Sequence, residues 1–393
     1  MRRRRWFKRN GSYPTKVRGS IPRYKCLACG RGFSDQTFSL DYYTKRIIDY
    51  DTVRSELCSN SSVRATARSL GCSCDSVTNR TSRLARQCIS ASSRMLSTMV
   101  LDEDLVGDGF ASFAVSQYFP NNIHILVGSH SQLVYFCDYV TLRRSGRMTG
   151  LQKRTRQALE SLYRTCPKAL TESFTELLTH LHQRMQRCTH EPLEFHTDKK
   201  QEYARALDSH PALAEAREAG RLVHTRTDSG EARDSRNPLF PVNYIDREFR
   251  KDLAEHVRET VRFARNVNHS MERLAIYLLD HNVRKRYRIN DPVRLRRTHA
   301  AEAGISRAHT ERATANLTTA RRFLSFEELE PAALRVWRRE HRTPLKGVVK
   351  GALREINRQA RRGAVDLEAV KSRLGVQQLI AEKPQYLPKY ALA

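Results

Sequence analysis

The chain has 393 residues, 39% of them apolar and 28% charged, and its 70 Lys and Arg against 42 Asp and Glu give a net charge of +28. Periodic apolar stretches with only 13 Pro and 17 Gly exclude a disordered or collagen-like chain. No apolar run approaches the ~18 residues of a membrane span, and nine Cys in so long a chain fit no disulfide framework and point to a reducing cytoplasm.

The charge is concentrated at the ends. Residues 1–50 hold 13 Lys and Arg against 3 acids, residues 284–393 hold 25 against 11, and 51–283 carry a net of only +4. Basic ends around a nearly neutral centre suit a polyphosphate partner, because each neutralised phosphate releases counterions. Neither end shows a basic amphipathic helix with a strong apolar face, so an anionic membrane is the poorer match. A nucleic acid is the expected partner, in the cytoplasm.

Residues 1–40 form a basic arm and one metal knuckle. Arg2–Arg5 are followed by no apolar region, so they read as no secretory signal. Cys26-Leu-Ala-Cys29 with Gly30 is half of a zinc ribbon. Two thiolates at that spacing supply two of the four ligands zinc needs, and residues 1–25 contain no Cys or His. Zinc is therefore doubtful, with the partner knuckle missing as from a truncated start.

Residues 41–98 read as helical, and SSVRATARSLGCSCDSVTNRTSRLARQC has the rhythm of a helix-turn-helix. Val63, Ala67 and Leu70 supply one apolar face, Gly71 the turn, and Asp75 or Ser76 the cap of the second helix. Arg80, Arg83 and Arg86 then fall on the opposite face, as a stripe for a DNA groove.

Residues 100–283 alternate between strand and helix signals. LVGDGFASF from Leu105, IHILV from Ile123 and QLVYFCDYV from Gln132 are three strands. Residues 150–187 are a helix interrupted near Pro167, LEFH from Leu193 is a fourth strand, 200–219 are helical, and LVHT from Leu222 is a fifth strand. One long helix is expected from Val242 to about Arg284, with Ile245, Phe249, Leu253 and Val257 on its buried face. Three strands, helix, strand, helix, strand, helix is the ribonuclease H-like order. In that fold the first and fourth strands are neighbours and the last helix packs across their ends.

Asp108 in the first strand, Asp198 at the end of the fourth and Asp246 in the first turn of the last helix would then meet. Three carboxylates can hold two Mg²⁺ or Mn²⁺ ions for in-line phosphoryl transfer. Asp102, Asp104, Asp138 and Asp252 are neighbouring acids, and Glu248 is the alternate third acid. Glu248 and Asp246 differ by about 200° of helix rotation, so only one of them can face the metals. His196 reads first as a strand-end histidine. Residues 284–393 form a basic, mostly helical region in which Phe323 and Trp337 are candidate anchors.

With RYKCLACGRGFS, the helix-turn-helix, GDGFASF, FHTDKK and NYIDREFRKD, the chain resembles bacterial insertion-sequence transposases of the DDE type over roughly residues 12–285. Asn243, Asp246 and Arg247 match that family's pattern around the third acid, which is usually Glu and here is Asp. The resemblance implies metal-dependent cleavage of element ends, strand transfer by the freed 3′-hydroxyl, and a homo-oligomer in a synaptic complex. It places Arg247, Arg250 and Lys251 along the DNA path. Two other functions are compatible with the residues: an inactive transposase-derived DNA-binding protein or repressor, and a ribonuclease H-like nuclease or resolvase.

Overall fold

The computed structural model describes residues 5–228, 230–257, 260–292, 297–346 and 351–373. Strands β1 (Phe7–Thr15), β2 (Gly19–Cys26) and β3 (Gly32–Ser34) form a small antiparallel sheet. Aromatic rings hold it together. Phe33 lies at the centre, with Trp6 stacked on it at 5.1 Å and Phe7, Tyr24 and Phe38 packed around it at 5.3–5.7 Å.

Helices α1 (Tyr50–Leu57), α2 (Val63–Ser69) and α3 (Cys74–Ser97) follow. Each starts at a side chain that accepts an otherwise unpaired backbone N–H: Asp49, Ser62 and Ser73. The α3 cap is thus Ser73 rather than Asp75 or Ser76; its hydroxyl accepts from the Ser76 N–H. Gly71 takes the turn between α2 and α3 at φ +57°, a conformation open to glycine. Val77, Leu84 and Ala85 of the second helix are buried, and α3 runs on into the centre of the molecule.

The main sheet contains β4 (Leu105–Phe113), β5 (Pro120–Gly128) and β6 (Val134–Thr141). Helices α4 (Gly150–Leu162) and α5 (Ala169–Met185) come next, with Pro167 between them, then β7 (Leu193–Asp198). Helices α6 (Gln201–Asp208) and α7 (Pro211–Glu218) lead to β8 (Leu222–Thr227). The strand order is β6-β5-β4-β7-β8. The β4–β5 and β5–β6 pairs are antiparallel, and the β4–β7 and β7–β8 pairs parallel. Alternation along β4 divides the core: Leu105 joins Phe174, Leu177 and Phe195 on one face, while Val106 and Phe110 join Ile245, Phe249 and Val267 on the other.

The expected long helix from Val242 is instead two, α8 (Phe240–Asp252) and α9 (Val267–Val283). Leu253 leaves the helix in an extended conformation, Val115 N–H donates to the Ala264 carbonyl, and Asn266 caps α9. Leu253 is buried as its spacing predicts, but it ends α8 instead of continuing it. Because α8 begins at Phe240 rather than Val242, Asp246 lies in its second turn, not the first.

The basic C-terminal region folds back on the rest. It contains α10 (His299–Glu302), α11 (Arg307–Thr314), α12 (Pro331–Arg338), α13 (Ala352–Arg362) and α14 (Leu367–Arg373). Trp337 is buried in the core beside α9, and Phe323 packs on Phe38 at 6.1 Å. The ion pair Arg94–Glu327 (2.8 Å) ties α3 to the chain just before α12. Residues 374–393 lie outside the described residues. No described helix is long and apolar enough to cross a membrane.

Candidate functional site

Asp108 stands in the middle of β4, in regular strand pairing with Ile125 rather than in a turn. The glycines beside it are required by close approach. A Cβ on Gly107 would come within 2.8 Å of the Phe195 ring, and one on Gly109 within 2.1 Å of the Asn122 side chain. The Gly109 N–H donates to Asp108 Oδ1 at 2.7 Å. Asp198 is the last residue of β7, the parallel neighbour of β4, so the chain itself brings these two acids together.

Lys200 joins them. Its Nζ lies 3.1 Å from Asp108 Oδ1 and 2.9 Å from Asp198 Oδ2. It also donates to Tyr203 Oη at 3.2 Å, and Tyr203 is fixed by stacking on Phe174 at 3.9 Å. Burial works against the ammonium, but Asp108, Tyr203 and Asp198 raise its pKa above the usual lysine value.

Asp246 belongs to the same electrostatic unit. Burial first, then the Asp108 charge, push its carboxyl up to about 7, while Arg250, Lys200 and Arg233 pull the other way without cancelling the effect. Asp108 is itself raised, by burial and by Asp198. Asp108 thus senses Asp198, and Asp246 senses Asp108; among the described residues the three carboxylates do not converge within 4.8 Å of one another. As donors they are all hard oxygen, the chemistry that suits Mg²⁺ or Mn²⁺.

The alternate third acid behaves differently. Glu248 is 4% exposed and paired with Lys251 at 2.6 Å and with Lys285, which also pairs with Asp252. These bonds hold the Glu248 carboxyl below its ordinary value despite its burial. Glu248 and Asp252 are therefore an internal ion-pair network under α9. Asp138 is likewise committed, to Arg335 at 2.8 Å.

A group that the sequence does not single out lies further back on the β4–β7 pair. Single donor atoms of Asp104, Glu194 and His196 lie within 4.8 Å of one another, and His190 Nε2 is 3.1 Å from Asp104 Oδ1. Metal-bound imidazoles nearly always donate their second N–H to a partner. His196 Nδ1 is buried without one, and Asp104 Oδ1 already accepts the Glu194 N–H. Hydrogen bonding between the two strands accounts for this cluster.

The expected groove-facing stripe on α3 is not an open surface. Arg80 is 5% and Arg83 8% exposed. Arg80 donates to the Arg46 carbonyl at 2.7 Å, Arg83 to the Leu40 and Tyr42 carbonyls at 2.7 and 2.8 Å, and Arg86 to the Trp337 carbonyl at 3.2 Å. The sequence pattern placed them opposite the apolar face, but the chain before α1 and the segment around α12 cover that side too. Arg64 and Arg68 on α2 are exposed instead. Among the residues beside the acids, Arg247 is exposed, Arg250 lies over the Phe110 ring at 4.7 Å, and Lys251 is paired with Glu248.

Cys26 and Cys29 flank the turn after β2, and backbone N–H groups of Cys29 and Ala28 lower the Cys26 thiol pKa. Among the described residues, no group of three or more metal-ligating side chains includes either cysteine. No protein-family model matches the chain, and no curated protein does either.

Proposed function

We propose that the chain is a metal-dependent DNA transposase with a ribonuclease H-like core, in which Asp108, Asp198 and Asp246 form the acidic site. The observation that carries this reading is the single Lys200 ammonium bonded to both Asp108 and Asp198, with Asp246 close enough for the Asp108 charge to raise its pKa. Strand order supports it as well, since the first and fourth strands of the sheet are parallel neighbours and α8 packs on the face that carries the acids.

Asp108, Asp198 and Asp246 would hold the divalent ions, which when bound activate the attacking oxygen and stabilise the leaving oxygen of phosphoryl transfer. The parallel β4–β7 pair carries two of the carboxylates, and α8, anchored by Ile245 and Phe249 in the core, carries the third. Arg247 offers an exposed cation beside them for the DNA backbone. The substrate is double-stranded DNA at the ends of the element, brought together by a homo-oligomer.

The test is nicking of a duplex that carries the sequences flanking the coding region, with Mg²⁺ or Mn²⁺. Nicking should occur in the parent and vanish in Asp108→Asn and Asp198→Asn while both variants still bind the duplex. Nicking that persists in these variants would overturn the site. Binding without nicking in the parent under any divalent ion would favour the second reading, a transposase-derived DNA-binding protein, to which the unmatched Cys26–Cys29 knuckle also points.

A further inference from the structure

The two strand acids are held by a residue that comes from the same short segment as one of them. Lys200 follows Asp198 by two positions, immediately before α6, and its backbone N–H donates to Asp198 Oδ1 at 3.0 Å. Its side chain then folds back so that the ammonium touches Asp108 Oδ1 and Asp198 Oδ2 together. Two carboxylates this close repel each other, and one ammonium in contact with both relieves the repulsion.

We propose that Lys200 is an internal counter-ion that competes with a divalent cation for Asp108 and Asp198, so that loading of the site requires its ammonium to swing out. This inference rests on the acidic-site reading above. The oxygens that a shared cation would need are those the ammonium now contacts. Departure is sterically open: the Lys200 side chain is 39% exposed, against 22% for Asp108 and 12% for Asp198, so the lysine lies on the solvent side of the acids. A flexible four-carbon stem ending in a compact charge can leave as a unit, which a packed or bidentate group could not. Tyr203, buried and stacked on Phe174, stays behind as a fixed wall.

The experiment is Mn²⁺ binding to the full chain, read by electron paramagnetic resonance of the free ion, in the parent, Lys200→Met and Asp198→Asn. Removing the competing charge should tighten Mn²⁺ binding about tenfold in Lys200→Met, and Asp198→Asn should abolish it. Equal or weaker binding in Lys200→Met, with binding still lost in Asp198→Asn, would overturn the competition and leave the acidic site standing. Mn²⁺ binding that is absent from both the parent and Lys200→Met, or unchanged in Asp198→Asn, would sink the acidic site and this inference with it. A measurement on the parent removes any dependence on the variant's folding. Acylation of Lys200 by an amine-reactive reagent, followed by peptide mass spectrometry, should speed up in saturating Mg²⁺; an unchanged rate in a metal-loaded chain would equally overturn the swing.

Discussion

Asp246 and Glu248 stand two residues apart on α8, and they differ in how much positive charge reaches them. Glu248 sits in a network with Lys251, Lys285 and Asp252, and its carboxyl is stabilised as the anion. Asp246 is destabilised as the anion, first by burial and then by the Asp108 charge. An acid already neutralised by the fold has little to offer a metal; one left short of positive charge gains from it. The same contrast separates Asp138, paired with Arg335, from Asp108, which shares a single ammonium with Asp198.

The strongest way to break this comparison is Asp246→Asn. It should lower metal-dependent nicking by about a hundredfold or more, the scale of losing one charge-stabilising group at a reaction centre, with no loss of folding. It should also change a pH profile. A carboxyl with a folded pKa of about 7 and an unfolded one near 4 binds more protons folded than unfolded between those values. Stability of the chelated protein should therefore fall as pH rises through that window and level off above it. Urea melts of Asp246→Asn should show a flatter profile; one that matched the parent's would remove Asp246 from the buried acidic set.

Glu248→Gln should do the reverse. Nicking should stay within about threefold of the parent, while stability drops by about 1–3 kcal/mol, because Lys285 keeps Asp252 but loses its second anion. Thermal melts and the nicking assay on one preparation separate the two effects. A hundredfold loss of nicking with intact stability would exchange the roles of the two acids.

The arginines carry the same distinction to a smaller scale. Arg83→Met removes donors from the Leu40 and Tyr42 carbonyls and should cost about 1–2 kcal/mol of stability without altering the salt dependence of DNA binding. Arg247→Ala should leave stability unchanged and reduce the slope of log K against log salt by about one. If Arg83→Met changed that slope instead, the α3 arginines would have to leave their carbonyl partners when DNA binds.

Much of the sheet was legible because strand alternation and turn residues are local signals. LVGDGFASF, LEFH and LVHT fall where strands form. In the sequence Asp246 and Glu248 are separated by helix rotation and by the Asn243 and Arg247 pattern, whereas the charge that pairs Glu248 comes from Lys285, just past the end of α9. The α3 arginines misled because periodicity identifies one buried face and cannot show that a second is covered from far along the chain, as Trp337 covers Arg86. The break between α8 and α9 was hidden for a similar reason, since Leu253 continues the apolar spacing while its backbone has already turned.

The smallest expected effect concerns the N-terminal sheet, where the sequence offers a metal knuckle and the fold offers aromatic packing. Cys26 is partly buried and Cys29 exposed, and neither belongs to a larger donor group among the described residues. Phe33, by contrast, meets Trp6, Phe7, Tyr24 and Phe38, and aromatic pairs each contribute about 0.5–1.5 kcal/mol beyond area burial. If the rings hold the sheet, Cys26→Ser with Cys29→Ser should shift stability by less than about 0.5 kcal/mol, and a chelator should change neither protein. Phe33→Ala should instead open the segment to limited proteolysis between residues 5 and 45. A chelator-sensitive melting temperature that the double serine variant abolishes would reverse this ranking, making the two thiolates half of a metal site completed by another chain.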